Sequence, residues 1–483
     1  MKKLYRFSAI ALLVLPLVFT SCSDYLDRDD DDNITEADVF ARYEKVNGLV
    51  SDVYAAAKKA DRPLVFFEHF SNSAITDECE GTNVEGNITN NFNNGAWNPN
   101  SLPGSVGQYW EALYEGIRKA NLIIENVQKY NTPDNPQQDG DLRNRIGEMY
   151  FMRGYFHMLL LRMYGEAPYI DRVINAGDNM DFKKESVHSM VEKIVTDAQT
   201  AYGMVPNKYV KTSENFGRVD KGACLGLISF VRWVAATPLW NGASQYGYNL
   251  RRVFENEYAY DATRWRKAKE AAKAVLDFEV GGTKRYSLYT KHDANDFKDP
   301  ADGNLNDSRV YARLWDMFYD MDAFANEYVF FMTKSKDQAW QGDIYPPSRE
   351  GSSRQQPVQE QVDEYEYIVG DYGYPVYSAE ARKGGYDDTN PYVKGTRDPR
   401  FYRDVIYHGA PYRNNKNESK TINTASGSDK IGATNATTTG YYLRKFQQES
   451  WNKSGNFSIN APAIWRLPEF IYIYAEACNE LGE

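Results

Sequence analysis

The sequence has few of the residues and motifs that mark catalytic and metal sites. It contains four cysteines and five histidines in 483 residues, and their spacing matches no zinc site. The motifs G-x-S-x-G, H-E-x-x-H and G-x-G-x-x-G and the P-loop are all missing. The acidic loop "DANDFKDPADGN" breaks EF-hand spacing, because Lys298 stands where the glycine is required. The sequence therefore predicts no catalytic residue, no cofactor and no bound metal.

An excess of positive charge is also missing. The formal net charge is −11, whereas binding to a phosphate backbone relies on clustered Lys and Arg. After the first 20 residues no apolar run approaches the length that spans a bilayer. Besides Cys22 there are only Cys79, Cys224 and Cys478, so the pattern indicates no disulfide framework. These absences argue against binding to nucleic acid and against a fold stabilised by disulfide bonds.

The N-terminus has the pattern of a secretory leader. The cationic head "MKKLYR" precedes an apolar run over residues 7–20, and the small pair Thr20-Ser21 precedes Cys22. That run is too short to cross a hydrocarbon core of ~30 Å, so residues 1–21 are predicted to be a cleaved signal peptide. The pattern resembles a bacterial lipobox with Phe19 in place of leucine, which implies a lipidated Cys22. An ordinary cleaved signal with an incidental cysteine is the alternative.

Residues 22–35 form an acidic segment with two interpretations. Loss of the cations Lys2, Lys3 and Arg6 with the leader would take the net charge from −11 to −14. Repulsion among the aspartates extends a chain, which predicts a solvated tether. Acidic residues after the lipid-bearing cysteine also direct some Gram-negative lipoproteins to the cell surface. Both interpretations stay open.

Residues 36–280 show the periodicity of amphipathic helices. Apolar side chains recur at three- and four-residue steps in five segments, namely Val106 to Val127, Ile146 to Leu161, Val187 to Tyr202, Ala223 to Ala235 and Trp265 to Phe278. Asp220 precedes the fourth segment and is a residue type favoured at an N-cap. Successive helices with short turns predict stacked hairpins of the tetratricopeptide type, with degenerate repeats.

The character of the sequence changes after these helices. Gly, Asn, Asp, Ser and Tyr dominate residues 281–460, which predicts a loop-rich insertion. A helical pattern returns in residues 461–483 as "PEFIYIYAEACNELGE", and no partner helix follows it. The predicted fold is therefore mainly α over residues 36–483, and the last helix predicts a longer full-length protein.

Eight short segments follow one another from residue 21 to residue 483: "SCSDYLD", "WEALYEGIRKANLIIEN", "EMYFMRGYFHMLLLRMYGEAPYI", "IVTDAQTAYGMVP", "GRVDKGACLGLISFVRW", "QQPVQEQVDEYE", "DPRFYRDVI" and "IWRLPEFIYIYAEACNELG". In content and order they resemble the SusD/RagB family of outer-membrane nutrient-binding lipoproteins. The resemblance implies a SusD-like fold and a non-catalytic, lipid-anchored protein that faces the cell exterior. It further implies binding of oligosaccharides and their delivery to a SusC-like TonB-dependent outer-membrane transporter.

Two loops carry aromatic residues suited to sugar binding. The chain has 37 Tyr and 9 Trp, and exposed rings stack on pyranose faces while amides and carboxylates bind hydroxyls. One loop is "NITNNFNNGAWNPNSLPG", in a region that contributes to the ligand surface in the family, with "SAITDECEG" beside it; the other is "RLWDMFYDMDAF". The predicted ligand-binding residues are Trp97, Asn98, Asn100, Asp77, Trp315, Tyr319 and, more weakly, Tyr289.

The residues that characterise the helical segments are predicted to fix packing. Asn121 lies near an apolar helix face, and Glu148 and Arg153 are expected to pair across a turn. His157 on an apolar face is expected to be a hydrogen-bonded core residue. A buried polar group without a hydrogen bond costs about 1–3 kcal/mol, so these side chains should be paired in the fold.

Two other functions stay open from the sequence alone. Asp and Glu are abundant, so a secreted glycoside hydrolase with two carboxylates on a helical scaffold is one alternative. A helical-repeat adaptor that binds another protein is the second, because such repeats present concave binding surfaces. The nature of the glycan, its linkage and its length are not indicated by any motif.

Overall fold

The computed structural model describes residues 35–60, 70–82, 88–96, 98, 104–131, 136–209, 214–242, 253–290, 317–318, 320–332, 342–393, 395–413, 419–447 and 463–483. The helices in these ranges include α1 Glu36–Phe40, α2 Tyr43–Ala60, α3 Ile88–Asn93, α4 Gly104–Tyr130, α5 Pro136–Tyr164, α6 Val187–Met204, α7 Lys221–Ala236, α8 Ala262–Leu276, α9 Met321–Asn326, α10 Gln359–Asp363, α11 Ala379–Lys383, α12 Pro399–Asp404 and α13 Leu467–Leu481. The strands include β1 Ile75–Thr76, β2 Cys79–Gly81, β3 Glu279–Val280, β4 Thr283–Lys284, β5 Tyr328–Phe331, β6 Gln355–Pro357, β7 Tyr367–Val369, β8 Tyr372–Tyr374, β9 Val405–Ile406, β10 Pro411–Arg413, β11 Ser419–Thr421, β12 Tyr442–Leu443 and β13 Ala463–Arg466.

The long helices form a stack in chain order. Each of α4 to α8 packs on the next, α2 packs on α4 and α5, and α13 packs on α8 and α7. Their apolar faces share one extended hydrophobic core. The five periodic segments of the sequence lie on α4 to α8, so the predicted mainly α fold with helical hairpins is confirmed. None of the helices in the described part of the chain is both long and apolar enough to cross a bilayer.

The ends of these helices follow ordinary capping chemistry. The Asp220 carboxylate accepts a hydrogen bond from the Ala223 N–H at 3.1 Å, which satisfies a free donor at the start of α7. The Ser186 hydroxyl does the same for α6, because it accepts from the Ser189 N–H at 3.2 Å. After α5, Gly165 adopts φ +70° and packs so close to Trp240 that a Cβ would lie 2.8 Å from the ring. Glycine is therefore required at that turn.

Helix α5 differs from the single apolar stripe that its sequence predicts. Its second half is buried on nearly every side, including Phe151, Tyr155 and Met158, which lie off the predicted stripe. The neighbours α4 and α6 pack on it, together with α2. A helix that is apolar all round is a core helix, and α5 is the centre of the stack.

Arg153 of α5 forms a buried ion pair with α6. Its Nε donates to Asp197 Oδ2 at 2.7 Å, and its Nη1 donates to Asn121 Oδ1 of α4 at 2.9 Å. The Tyr169 hydroxyl donates to the same Asp197 oxygen at 2.6 Å. All four residues are buried. The network therefore joins α4, α5 and α6 through one guanidinium, in agreement with the predicted packing role of Asn121.

Glu148 lies at the centre of a separate buried network. Its carboxylate accepts from Arg145 at 2.6 Å and from Arg218 at 2.8 Å. It also accepts from the Tyr54 hydroxyl at 2.9 Å and the Tyr209 hydroxyl at 2.6 Å. Two cations and two hydroxyls saturate this carboxylate, as the burial of a charge requires.

The predicted pairing of Glu148 with Arg153 is wrong. Residues five positions apart on an α-helix point about 140° away from each other, because the helix turns 3.6 residues per revolution. Glu148 consequently contacts α2 through Tyr54, whereas Arg153 contacts α6 through Asp197. The two charges stabilise different faces of the same helix.

His157 is a hydrogen-bonded core residue, as predicted. Its Nδ1 lies 2.8 Å from the Arg153 carbonyl oxygen, and its Nε2 accepts from the Ile170 N–H at 3.0 Å. The Nδ1 therefore carries the proton and donates it to the carbonyl. The ring stacks on Tyr169 with 3.8 Å between centroids. Burial lowers the pKa of His157 from 6.5 to about 3.

This buried imidazole makes stability depend on pH. Below pH 6.5 the unfolded chain binds a proton that folded His157 does not take up until about pH 3. As the pH falls through that window, we expect this group to lower the free energy of unfolding by up to about 1.4 kcal/mol per pH unit. His157→Gln lacks the component, so urea unfolding followed by circular dichroism should show a flatter pH dependence. Burial also lowers the pKa of His188 to about 4. This second imidazole lowers the free energy of unfolding at acidic pH in both the wild type and the variant, so it does not affect the comparison. Equal slopes would contradict a neutral, buried His157.

Short strand pairs organise the remainder of the described chain. β5 and β13 pair antiparallel and pack beside α7 and α13. β1, β2 and β6 form an antiparallel sheet in which Cys79 faces Pro357 and Gly81 faces Gln355. β9 pairs with β12, which packs on β6. These pairings bring residues near 75, 356, 405 and 443 to one place.

Many tyrosines of this loop-rich part have structural positions. Tyr345, Tyr412 and Tyr442 are buried in one small aromatic core, and Tyr402 and Tyr441 are buried in another. Rings that looked available for ligand stacking in the sequence thus replace the aliphatic core that a loop-rich region lacks. The three described cysteines, Cys79, Cys224 and Cys478, are free thiols, and the first two are buried.

Candidate ligand-binding cavity

A cavity of about 370 Å³ opens beside the three-stranded sheet. Its walls come from β2, β6, α10, α12, β9 and the residues that follow β12. The volume falls in the range of about 300–1,000 Å³ that is usual for small-molecule sites. The strand pairings described above form these walls, so segments more than 350 residues apart in the sequence meet in one site.

One wall of the cavity is cationic. Arg400 and Arg403 project from α12, three residues apart, and Lys445 follows β12. Helix α12 begins after Asp398, which accepts from the Arg400 N–H at 2.8 Å, and Pro399 occupies its first turn. The Arg400 guanidinium pairs with the Asp398 carboxylate at 2.5 Å while staying largely exposed. That pairing raises the pKa of Arg400, so it is a permanent cation.

Arg403 is held by a buried carboxylate. Its Nη2 donates to Asp404 Oδ2 at 2.6 Å, and the Tyr365 hydroxyl donates to the same oxygen at 2.9 Å. Arg403 and Asp404 are both buried, and the guanidinium also lies 5.3 Å from the centre of the Phe318 ring. Burial raises the pKa of Tyr365, which keeps its hydroxyl protonated. The positive charge of Arg403 is thereby compensated inside the protein.

Lys445 differs from the two arginines. Among the described residues no carboxylate lies within ion-pair distance of its Nζ, which lies 5.4 Å from the centre of the Phe446 ring. Asp404 and Glu78 act on this ammonium group only at longer range. Desolvation by burial lowers the pKa of Lys445. The following residue, Phe446, adopts φ +63° although it is not a glycine. Strained backbone of this kind persists only where surrounding contacts hold it, and it clusters at binding sites.

Ser71 contributes an unsatisfied hydroxyl to the lining. Its backbone N–H donates to Gln355 Oε1 at 2.7 Å, but its Oγ is buried and has no hydrogen-bond partner within the described residues. Buried polar atoms in proteins are nearly always hydrogen-bonded. A lone buried hydroxyl in a cavity wall therefore indicates a position where a ligand or a water completes the bonding.

The hairpin that carries Asp77 forms the rim of the cavity. Asp77 is exposed in the turn between β1 and β2, and its neighbours in the chain, Glu78 and Cys79, line the cavity. Ser73 Oγ donates to Glu78 Oε2 at 2.8 Å and fixes that carboxylate. Asp77 is thus placed beside the cavity rather than in its wall.

Tyr289 lies in an aromatic cluster that adjoins the cavity through Phe446. It packs against Met317, Phe318 and Ala323, and Phe446 of the cavity lining packs against the same cluster. The Phe318 and Phe446 ring centroids are 4.3 Å apart. The Tyr289 hydroxyl donates to Asp320 Oδ2 at 2.9 Å. Two predicted site residues distant in sequence, Asp77 and Tyr289, are therefore each connected to the cavity by a neighbour that lines it.

The remaining predicted site residues divide into two groups. Asn98 is described and exposed. The others lie outside the described residues and stay predictions, namely Cys22, Trp97, Asn100, Trp315 and Tyr319. No cluster of three or more His, Cys, Asp or Glu side chains with metal-binding geometry occurs in the part of the chain that the structure describes.

Sequence reasoning missed the polar walls of this cavity. Arg400 and Arg403 belong to "DPRFYRDVI", and Gln361 and Tyr365 belong to "QQPVQEQVDEYE". In the sequence, both segments indicate only the family resemblance. The available signal was the presence of two polar, charged motifs within a region otherwise predicted to be loops, where binding residues concentrate.

Comparison with known proteins places the chain in a family. Residues 24–231 match the family described as "Starch-binding associating with outer membrane", and residues 320–483 match the SusD family. SusD-like protein P2 of Formosa agariphila is 24% identical over 202 residues, which are 41% of this chain and 38% of that protein. The match thus spans well under two thirds of the length of that relative.

Solved structures share the fold. A SusD-like protein from Bacteroides fragilis NCTC 9343 superposes with a TM-score of 0.69 at 18% identity, covering 93% of this chain and 77% of that one. A laminarin-binding SusD-like protein superposes with a TM-score of 0.54 at 15% identity, covering 90% of this chain and 80% of that one. The predicted SusD-like fold is confirmed. The family matches over residues 24–231 and 320–483 show that the protein belongs to the SusD/RagB family.

Proposed function

We propose that this protein is a cell-surface lipoprotein that captures oligosaccharides and passes them intact to a SusC-like TonB-dependent transporter. The observation that carries the proposal is the cavity of about 370 Å³ among the strands and short helices of a SusD-like fold. Its lining combines the rings of Tyr365 and Phe446 with hydrogen-bonding side chains such as Gln361. Rings that stack and polar groups that bind hydroxyls are the two elements of sugar recognition.

The carboxylates of the cavity are engaged in ways that favour binding over hydrolysis. Asp404 is bound by Arg403 and Tyr365, and Glu78 accepts from Ser73. A glycosidase needs one carboxylic acid free to give a proton and a second carboxylate free to act on the sugar or on water. Asp404 is held as a structural anion, which supports a non-catalytic role.

The proposal assigns ligand binding to this cavity and its surroundings. Asp77 lies on the hairpin whose Glu78 lines it, and Tyr289 lies beside the cluster that supports Phe446. Trp97, Asn98, Asn100, Trp315 and Tyr319 remain proposed ligand-binding residues, because aromatic rings and polar side chains suit sugar binding.

The central prediction concerns oligosaccharide binding. Trp97→Ala and Trp315→Ala should each weaken binding of a recognised glycan at least roughly tenfold, about 1.4 kcal/mol, because each removes a stacking ring. The glycan is first found by retention of the pure protein in native gels that contain neutral or acidic polysaccharides, and affinity is then measured by calorimetry. Tyr260→Ala is the matched control, since Tyr260 is exposed before α8 and outside the cavity. Undiminished affinity in the double Trp variant would reject this site assignment.

Two further measurements separate the proposal from its alternatives. Release of reducing ends from any bound polysaccharide by the pure protein would support a glycoside hydrolase instead. Affinity capture from detergent-solubilised outer membranes tests the partner, and a TonB-dependent barrel is the expected protein.

The anchor is tested on the N-terminus itself. The proposal expects the mature chain to begin at Cys22 with attached fatty acid, since two or more acyl chains hold a protein stably on a membrane. Mass spectrometry of the protein isolated from cells measures this directly. A mature N-terminus without lipid would remove the membrane anchor from the proposal.

A further inference from the structure

The charge of the cavity is opposite to that of the whole protein. The chain carries a formal net charge of −11, yet the cavity is lined by the cations Arg400, Arg403 and Lys445 and by only two carboxylates, Glu78 and Asp404. Surface charges more than about 8 Å away are largely screened at physiological salt. A ligand inside the cavity therefore interacts mainly with the local positive charge.

The carboxylate partners of the three cations show which of them can pair with a ligand. Asp404 compensates Arg403 inside the protein, and Glu78 is exposed and bound by Ser73. Arg400 is paired with Asp398 on its exposed side. Lys445 alone among the three cations has no carboxylate at ion-pair distance within the described residues. Its ammonium group is therefore the cation of the site that is free to pair directly with a ligand.

A partly buried ammonium group without a carboxylate partner is unfavourable unless a ligand pairs with it. Taking a charge out of water has a free-energy cost even after relaxation, and burial lowers the pKa of Lys445 accordingly. The buried Ser71 hydroxyl, which also has no partner, lines the same cavity. An anionic group is a suitable acceptor for each of them, because a lysine ammonium and a serine hydroxyl are hydrogen-bond donors.

We propose that the cavity selects an acidic sugar residue, a uronic acid or a sulfated sugar, whose anionic group pairs with Lys445 and is supported by Arg400 and Ser71. This inference rests on the proposed glycan-binding function and specifies its ligand class. A neutral sugar would leave the Lys445 charge without a counter-ion in a partly desolvated site. The anionic group would remove that cost, and charge-assisted hydrogen bonds are roughly twice as strong as neutral ones.

The test compares matched acidic and neutral ligands. Calorimetry on the full chain uses a uronate oligosaccharide, the same oligosaccharide with its carboxyl groups reduced to alcohols, and a sulfated oligosaccharide of similar length. We expect at least one acidic ligand to bind ten or more times tighter than the carboxyl-reduced one. Its affinity should fall as NaCl rises from about 50 to about 500 mM, because added salt shortens the distance over which charges interact. The two acidic arms distinguish a carboxylate from a sulfate ester.

Variants assign the preference to Lys445. Lys445→Met keeps the length and apolar contacts of the side chain, and it should reduce the acidic-to-neutral affinity ratio at least tenfold. Lys445→Arg is the conservative control and should keep a clear preference for the acidic ligand. Thermal unfolding of each variant checks the fold, and Arg400→Gln, on the exposed part of the wall, gives a second test if Lys445→Met does not fold. It should lower the ratio by a smaller factor.

The possible failures are distinct. Equal or tighter binding of the carboxyl-reduced ligand, or an unchanged ratio in Lys445→Met, would overturn the acidic-sugar inference and leave the proposed function standing. Binding of no glycan of either class would overturn the proposed function as well.

Discussion

Replacing Asp197 by alanine should destabilise the protein by about 3–5 kcal/mol. The substitution leaves the buried Arg153 guanidinium without its carboxylate, and removal of one partner from a buried ion pair carries a cost of that size. The Arg153 Nη1 bond to Asn121 at 2.9 Å remains, so we expect a value near the lower end. Urea unfolding followed by circular dichroism measures the change. A loss below about 1 kcal/mol would show that the pair contributes little more than a surface bridge.

The partner substitution separates charge from packing. In Arg153→Met with Asp197→Ala, no buried charge is left unpaired, so the double variant should recover part of the stability lost in Asp197→Ala alone. Tyr169 also loses the acceptor of its hydroxyl in both proteins, which limits the recovery. A double variant whose loss in the free energy of unfolding exceeds the sum of the losses in the two single variants would contradict this account.

Glu148→Ala should produce a loss of similar size through a different network. The change leaves Arg145 and Arg218 near each other with no anion between them, and it removes the acceptor for two tyrosine hydroxyls. We expect about 3–5 kcal/mol, the cost of breaking a buried charge cluster. Glu148→Gln keeps one acceptor oxygen and should lose less. Chemical unfolding of both variants gives the comparison.

A double-mutant cycle tests whether the two networks are independent. Glu148 and Arg153 share no partner in the structure, so the losses from Glu148→Gln and Arg153→Met should add within about 0.5 kcal/mol. A direct pair between them would instead give a coupling energy well above that value. The cycle therefore distinguishes the observed arrangement from the pairing that the sequence suggested.

These networks explain why the helical segments mark the family without forming its site. Glu148, Arg153 and His157 are buried and hydrogen-bonded within the stack. The charges of Glu148 and Arg153 fix the relative positions of α2, α4, α5 and α6. The cavity lies among the strands and short helices of the other part of the chain, where changes in loops can alter specificity without disturbing that scaffold.

The structure explains why the loop-rich part of the chain contains so many tyrosines. Most of the buried tyrosines in this part of the chain build small cores, and their hydroxyls bond to carboxylates, amides or backbone, as Tyr412 does with Gln447 at 2.6 Å. Tyr365 is intermediate, because its ring lines the cavity while its hydroxyl holds Asp404. Aromatic content alone thus overstated how many rings are available to a ligand.

The sequence by itself determined the helical stack. Apolar periodicity located α4 to α8, and Asp220 marked the start of α7, because these signals depend only on residues within one or two turns of helix. The order of short motifs then identified the family. Local patterns suffice where each element is long and its neighbours in space are its neighbours in the chain.

Only the tertiary structure decided which polar residues meet. Glu148 and Arg153 are close in sequence but face different helices, whereas Ser71, Arg403 and Lys445 are far apart in sequence and line one cavity. Side-chain direction and strand pairing over hundreds of residues set these contacts, and neither leaves a periodic trace in the sequence. For that reason the scaffold was predictable, while the charged wall of the site was not.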